Sequence, residues 1–103
     1  MTDEPFGMHV EFTARPSAGD ELEAVLLEAA DGLRSAEACR LYVVSRAAGS
    51  AETVYVTEAW TSRAAHDASL EDPAARVLIE RAMPLLAGRP EATELRPAGG
   101  KGL

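Results

Sequence analysis

The chain has no asparagine and no glutamine, and one each of cysteine, lysine and tryptophan in 103 residues. Each absence excludes something. Without a side-chain amide, no mechanism that needs one is available. A lone Cys39 cannot form an intramolecular disulfide, so no disulfide framework holds the fold. Two histidines far apart in sequence, with one cysteine, make no metal signature. The net charge is −7, and the basic residues, Lys101 and nine scattered arginines, form no cluster. Nucleic-acid binding requires such a cluster to displace counterions, and anionic membrane surfaces attract the same kind of patch, so neither is an expected partner. No apolar run approaches the length of a membrane span, and Met1 to Gly7 carries two acids without an apolar core of a signal peptide. A cytoplasmic location is the expectation by elimination.

What is present has a clear order. Met8 to Arg15 alternates, with Met8, Val10, Phe12 and Ala14 against His9, Glu11, Thr13 and Arg15, which predicts a strand with one apolar face. After the Pro16-Ser17-Ala18-Gly19 break, Asp20 reads as a helix N-cap with Glu23 three residues on, like a capping box. Leu22, Val25, Leu26, Ala29 and Leu33 then share one helical face. Cys39 to Arg46 and Thr53 to Trp60 predict two strands whose short link through Gly49 and Ser50 makes an antiparallel hairpin. On the second of them, Val54, Val56, Glu58 and Trp60 fall on one face, and Tyr55, Thr57 and Ala59 on the other.

A short helix over Ser62 to Leu70 follows, and Asp72-Pro73 starts another, with Asp as N-cap and Pro in the first turn. That helix runs to about Met83. Its expected buried positions are Val77, Leu78 or Ile79, Ala82 and Met83, and Pro84 forces a kink or a stop. Glu91 to Pro97 predicts a weaker fourth strand. The tail 98–103 is expected to be disordered; its Gly99-Gly100-x-Gly102 opens no helix and so is no phosphate loop.

The resulting β-α-β-β-α-β order is the split βαβ arrangement of an α+β, ferredoxin-like fold: an antiparallel sheet with helices on one face, in a single domain over residues 6–97. The uncovered sheet face, in a chain this short, predicts a homodimer.

The stretch Val54-Tyr55-Val56-Thr57-Glu58-Ala59-Trp60, the Ala-rich segment Thr61 to Leu70 that contains His66, and the Asp72-Pro73 helix start resemble the antibiotic-biosynthesis monooxygenase family. The resemblance spans residues 6 to 97. It implies a dimeric α/β barrel with a pocket in each subunit between sheet and helices. The chemistry it implies is cofactor-free oxidation of aromatic polyketides and quinols, or haem degradation in one branch. The haem branch would need ligating side chains where this chain has Phe12, Ser69 and Ile79, so haem is not expected. The polyketide-oxidising branch carries an Asn four residues before its Trp. Here that position is Val56, while the Trp is kept as Trp60. Many quinol-type relatives carry a His where this chain has Ser69, and here His66 stands three residues earlier.

Read as chemistry, Trp60 is both a core anchor and a candidate wall for an aromatic ligand. His66 is either a half-exposed surface residue or a general base, a role for which imidazole titrates in the right range. Glu58 shares the face of Trp60; it either pairs with an arginine, the favoured reading, or has a raised pKa and acts as a base. The helical spacing of His66 and Leu70 places both on one face, and Leu70, the only large apolar residue there, is expected to be buried and to carry His66 inward. His9 reads as structural or at the dimer barrel, Tyr42 and Tyr55 as packing, and Cys39 as a small buried hydrophobe.

The expected site is therefore His66 as catalytic base with Trp60, Phe12, Val56, Glu58 and Ser69 against the substrate, and with no cofactor or metal. No flavin, nicotinamide or phosphate fingerprint is present, so the substrate itself must supply the reducing power. Two functions fit: a cofactor-independent monooxygenase acting on an aromatic, quinol-like or polyketide substrate, and a non-catalytic dimeric module that binds a small aromatic ligand.

Overall fold

The first strand, β1 (Phe6–Thr13), begins two residues earlier than the alternation suggests, because Phe6 and Gly7 already pair with the end of a neighbouring strand. In the computed structural model, which describes residues 4–103, it is followed by α1 (Gly19–Gly32), β2 (Cys39–Arg46), β3 (Thr53–Trp60), α2 (Arg63–Ser69), α3 (Pro73–Ala82), a 3₁₀ turn at Met83–Leu85 and β4 (Glu91–Leu95). The reading of Met1 to Gly7 as lacking a leader lies in part outside the described residues. All strand pairs are antiparallel, in the order β2-β3-β1-β4. This is the ferredoxin-like α+β fold. No helix among the described residues is long and apolar enough to cross a membrane.

The core lies between α1 and the centre of the sheet. Leu22 and Leu26 of α1 meet Val54 and Val56 of β3 and Ala14, with Leu22 and Val54 fully buried. The period-2 face of β3 and the period-3.6 face of α1 meet here. Phe12, Tyr42, Val44, Ala82, Leu85 and Leu86 close the rim.

Four expectations need correction. Asp20 does not cap α1: the N-cap is Ala18, with no side-chain bond. Asp20 and Glu23 are drawn instead to Arg46, whose Nη2 and Nη1 lie 2.9 Å from Asp20 Oδ1 and 2.9 Å from Glu23 Oε1, while its Nε donates to Ala51 O at 3.0 Å. A guanidinium with three acceptors outcompetes a local cap, and it ties the start of α1 to the β2–β3 turn. Second, Val77, Ile79 and Met83 are exposed. α3 lies against α1 at the edge of the domain, and its half-buried residues are Ala75, Leu78 and Ala82, at i, i+3 and i+7. Third, Leu70 is 45% exposed; it is the C-cap of α2, where the chain turns away towards α3. Fourth, Cys39 is half-buried, its Sγ donating to Leu41 O at 3.6 Å.

Asp72 does cap α3, accepting from the Ala74 N–H at 3.2 Å with Pro73 in the first turn. The helix ends before Pro84, which passes into the 3₁₀ turn. The sheet face opposite the helices carries His9, Glu11, Val43, Tyr55, Thr57 and Leu95. There His9 stacks on Tyr55, with centroids 5.3 Å apart, and its Nδ1 is 3.0 Å from Thr57 Oγ1.

Candidate active site

Glu58 and Trp60 sit two residues apart on β3, so their side chains share the helix-covered face. Cross-strand pairing sets Phe6 opposite Trp60 and Met8 opposite Glu58. Beyond Trp60 the chain reverses through Ser62, which is extended and caps α2 by accepting from the Ala65 N–H at 3.1 Å. That cap fixes the entry angle of α2 and drops His66, in its first turns, back onto the strand end.

The imidazole is closed in by four groups. Its ring centroid is 5.0 Å from that of Phe6 and 5.7 Å from Trp60, edge to face with the indole. Its Nε2 is 3.6 Å from Glu58 Oε1, and its Nδ1 is 2.9 Å from Asp67 Oδ1. Glu58 Oε1 also accepts from Trp60 Nε1 at 2.7 Å. Glu58, Trp60 and His66 are each less than a tenth exposed. An ionised Asp67 carboxylate only accepts, so it selects the imidazole tautomer protonated at Nδ1 and leaves Nε2 facing Glu58.

Burial pushes the Glu58 carboxyl up from the usual carboxylate range; the indole N–H and the imidazole oppose that shift without cancelling it. The same carboxylate helps hold the Tyr42 phenol far above its ordinary value, although burial is the larger cause there too. Burial likewise raises the Cys39 thiol. Tyr42 stands opposite Glu58, and Cys39 opposite Trp60, in the β2–β3 ladder.

The raised Glu58 pKa has a testable consequence for stability. The folded state holds the Glu58 proton to higher pH than the unfolded chain does. This group's contribution to stability is therefore complete below the unfolded carboxyl value near 4.5 and is lost as pH rises through the folded value. Glu58→Gln keeps an acceptor for Trp60 and removes the titration. The stability of the wild type relative to this variant should fall as pH is raised from 4 to 8 (about the carboxylate-to-neutral range). A difference that is flat or rises over that range, measured by urea unfolding, would contradict the burial argument.

Of the residues expected at the site, His66, Glu58 and Trp60 come together. Phe12 lies six residues along β1 from Phe6, about 20 Å away at strand rise, and packs on the core. Val56 is buried in that core. Ser69 donates its Oγ to His66 O at 2.6 Å and serves the end of α2. The expected Glu58–arginine pair does not form; its partners are the indole and the imidazole.

Sequence reasoning missed Phe6 and Asp67. Phe6 extends the alternation of Met8 and Val10 by one step, which was the available signal. Arg63 lies over the Phe6 ring at 4.4 Å and pairs with Glu94 of β4, so α2 is fastened across β1. No group of three or more His, Cys, Asp or Glu placed to hold a metal ion occurs among the described residues.

The family model described as antibiotic biosynthesis monooxygenase matches residues 5–81. No curated protein matches the chain. Among solved structures, a Chloroflexus aurantiacus protein provisionally named an antibiotic biosynthesis monooxygenase is 33% identical, with a TM-score of 0.84 over 93% of this chain and 95% of that one. Rv0793 from Mycobacterium tuberculosis is 25% identical, with a TM-score of 0.83 over 94% and 98%. SnoaB from Streptomyces nogalater, described as a cofactor-independent oxygenase, shares the fold at 15% identity, with a TM-score of 0.80 over 95% and 97%. With the family match covering most of the domain, the chain belongs to the antibiotic biosynthesis monooxygenase family.

Proposed function

We propose that the protein is a cofactor-independent monooxygenase that oxidises an aromatic, quinol-like or polyketide substrate with dioxygen. The observation that carries this reading is the buried contact between His66 Nε2 and Glu58 Oε1, walled by Trp60 and Phe6. Family membership and a fold shared with a cofactor-independent oxygenase support it. An electron-rich phenol becomes reactive towards dioxygen once it loses a proton. His66 Nε2 takes that proton, and the phenolate or enolate passes an electron to dioxygen. The resulting radicals combine at carbon as a peroxide. Loss of water from the peroxide leaves a carbonyl, so a ring CH₂ and O₂ become C=O and H₂O, and the proton held by His66 leaves with the water. The protein contributes orientation, an apolar wall and one base. Oxygen uptake with a panel of hydroquinones and anthrones, with and without catalase, tests this. Enzyme-dependent uptake is the expected result, and uptake no faster than autoxidation contradicts it.

One observation favours a second reading, a binding module. Glu58 and His66 already face each other away from solvent. Ligand protection against unfolding, without turnover, would select it.

The same reading includes a homodimer formed through the open sheet face, where Val43 and Leu95 remain 44% and 40% exposed. A second copy is the natural cover for such a face. Light scattering at micromolar concentration should give twice the chain mass of 10.9 kDa; the mass of one chain would contradict it.

A further inference from the structure

We propose that the cleft between the end of α1 and the start of β2 seats an aromatic acid, with the acid group held by Arg40. The cleft has a volume of about 300 Å³, and Leu33, Arg34, Cys39, Arg40 and Tyr42 are among its lining residues. That is the lower end of small-molecule sites and suits one or two fused rings.

Its charge is unlike that of the rest of the molecule. The protein carries −7 overall, yet the lining includes two arginines and no carboxylate. Arg34 is drawn aside by Asp31, 2.8 Å from its Nε. Arg46, Arg63, Arg76 and Arg81 are likewise held by carboxylates. Arg40 is exposed and makes no ion pair among the described residues, so its guanidinium fork is free for a bidentate acid. A second cleft of about 340 Å³ carries Arg89 but also Glu11 and Glu91, and those carboxylates repel an anion.

The cleft lies on the strand next to the one that carries Glu58 and Trp60. Cys39 and Tyr42 in its lining stand directly across the ladder from Trp60 and Glu58. Tyr42 is kept protonated by burial and by Glu58, so its hydroxyl is a donor for a ring oxygen. This inference rests on the oxygenase reading only in calling the ligand a substrate; the binding itself is independent of turnover.

Calorimetric titration with naphthol and with hydroxynaphthoate, which adds one carboxylate to the same rings, tests it at physiological salt. Hydroxynaphthoate should bind about tenfold more tightly or better, the usual size of a charge-assisted contact. Arg40→Ala should abolish that preference, and Arg40→Lys should retain part of it. Arg89→Ala should leave it intact. Equal affinities for the two compounds, absence of binding at millimolar concentration, or a preference insensitive to Arg40→Ala would overturn the proposal. Arg40-dependent binding without oxygen uptake from any quinol in the panel would leave this site standing and remove the oxygenase reading instead.

Discussion

His66→Ala should lower turnover of a quinol-type substrate by about 100-fold or more while changing ligand affinity little. The magnitude is the usual contribution of a general base. In the proposed mechanism its surroundings orient the imidazole for that role. Ser62 caps α2 and sets its angle, Asp67 fixes the tautomer, and Nε2 is left pointing at Glu58 from 3.6 Å. The substitution removes the base and leaves Trp60, Phe6 and the cleft over β2. The loss should therefore appear in kcat, with KM nearly unchanged.

Because the ring packs against Phe6 and Trp60, its removal also leaves a void, and some stability will go with it. His66→Gln fills most of that space without supplying a base near neutrality. It should be nearly as slow as His66→Ala but closer to wild type in unfolding. Full activity in both variants would remove His66 from the chemistry and advance the binding-module reading.

Gly19→Ala should destabilise the fold by about 3 kcal/mol or more, in the class of severe core strain. A methyl at this first residue of α1 would come within 2.2 Å of Ala51 O, a backbone atom, and 2.7 Å from Arg46 Nη2. The side chain could move; the carbonyl is backbone of the β2–β3 turn and moves only with that turn. Relief of the clash therefore requires separating α1 from the β2–β3 turn and opening the Asp20–Arg46–Glu23 clasp.

For a domain of this size that loss corresponds to about 12 to 24 °C in Tm. Gly32→Ala is the control. A methyl there meets nothing within 4 Å, at the last residue of α1, and should be neutral or raise stability by up to about 1 kcal/mol. Thermal unfolding of both variants decides it; equal Tm values would contradict the close-approach argument.

The hairpin was legible to the residue. Cys39–Arg46 is rich in Tyr and Val, Thr53–Trp60 follows it closely, and Gly49-Ser50 marks their turn. The order of all elements followed from similar local signals, since each period and each breaker is a nearest-neighbour property. What was illegible depended on contacts distant in sequence. Asp20 and Glu23 look like a capping box until Arg46, more than twenty residues on, claims both. Val77 and Ile79 look inward-facing until α1 determines which side of α3 it meets.

At the site, the common face of Glu58 and Trp60 was readable from strand period. The inward position of His66 was reached by a wrong route. Leu70, the apolar neighbour expected to pull it in, is exposed, and the ring is held by Phe6, Trp60 and Glu58 instead. Phe6 continues the alternation of Met8 and Val10, but its place opposite Trp60 depends on the β1–β3 register, which no local pattern displays.

The central claim is that this chain inserts one atom of dioxygen into an aromatic substrate without a cofactor. Turnover of an anthrone or hydroquinone under isotopically heavy dioxygen, with protein stripped of metal by chelation and with catalase present, tests it most directly. The account predicts one heavy oxygen atom per product molecule, at a rate proportional to enzyme and reduced about 100-fold in His66→Ala. A product whose new oxygen comes from water, or heavy-atom incorporation equal to that without protein, would contradict it.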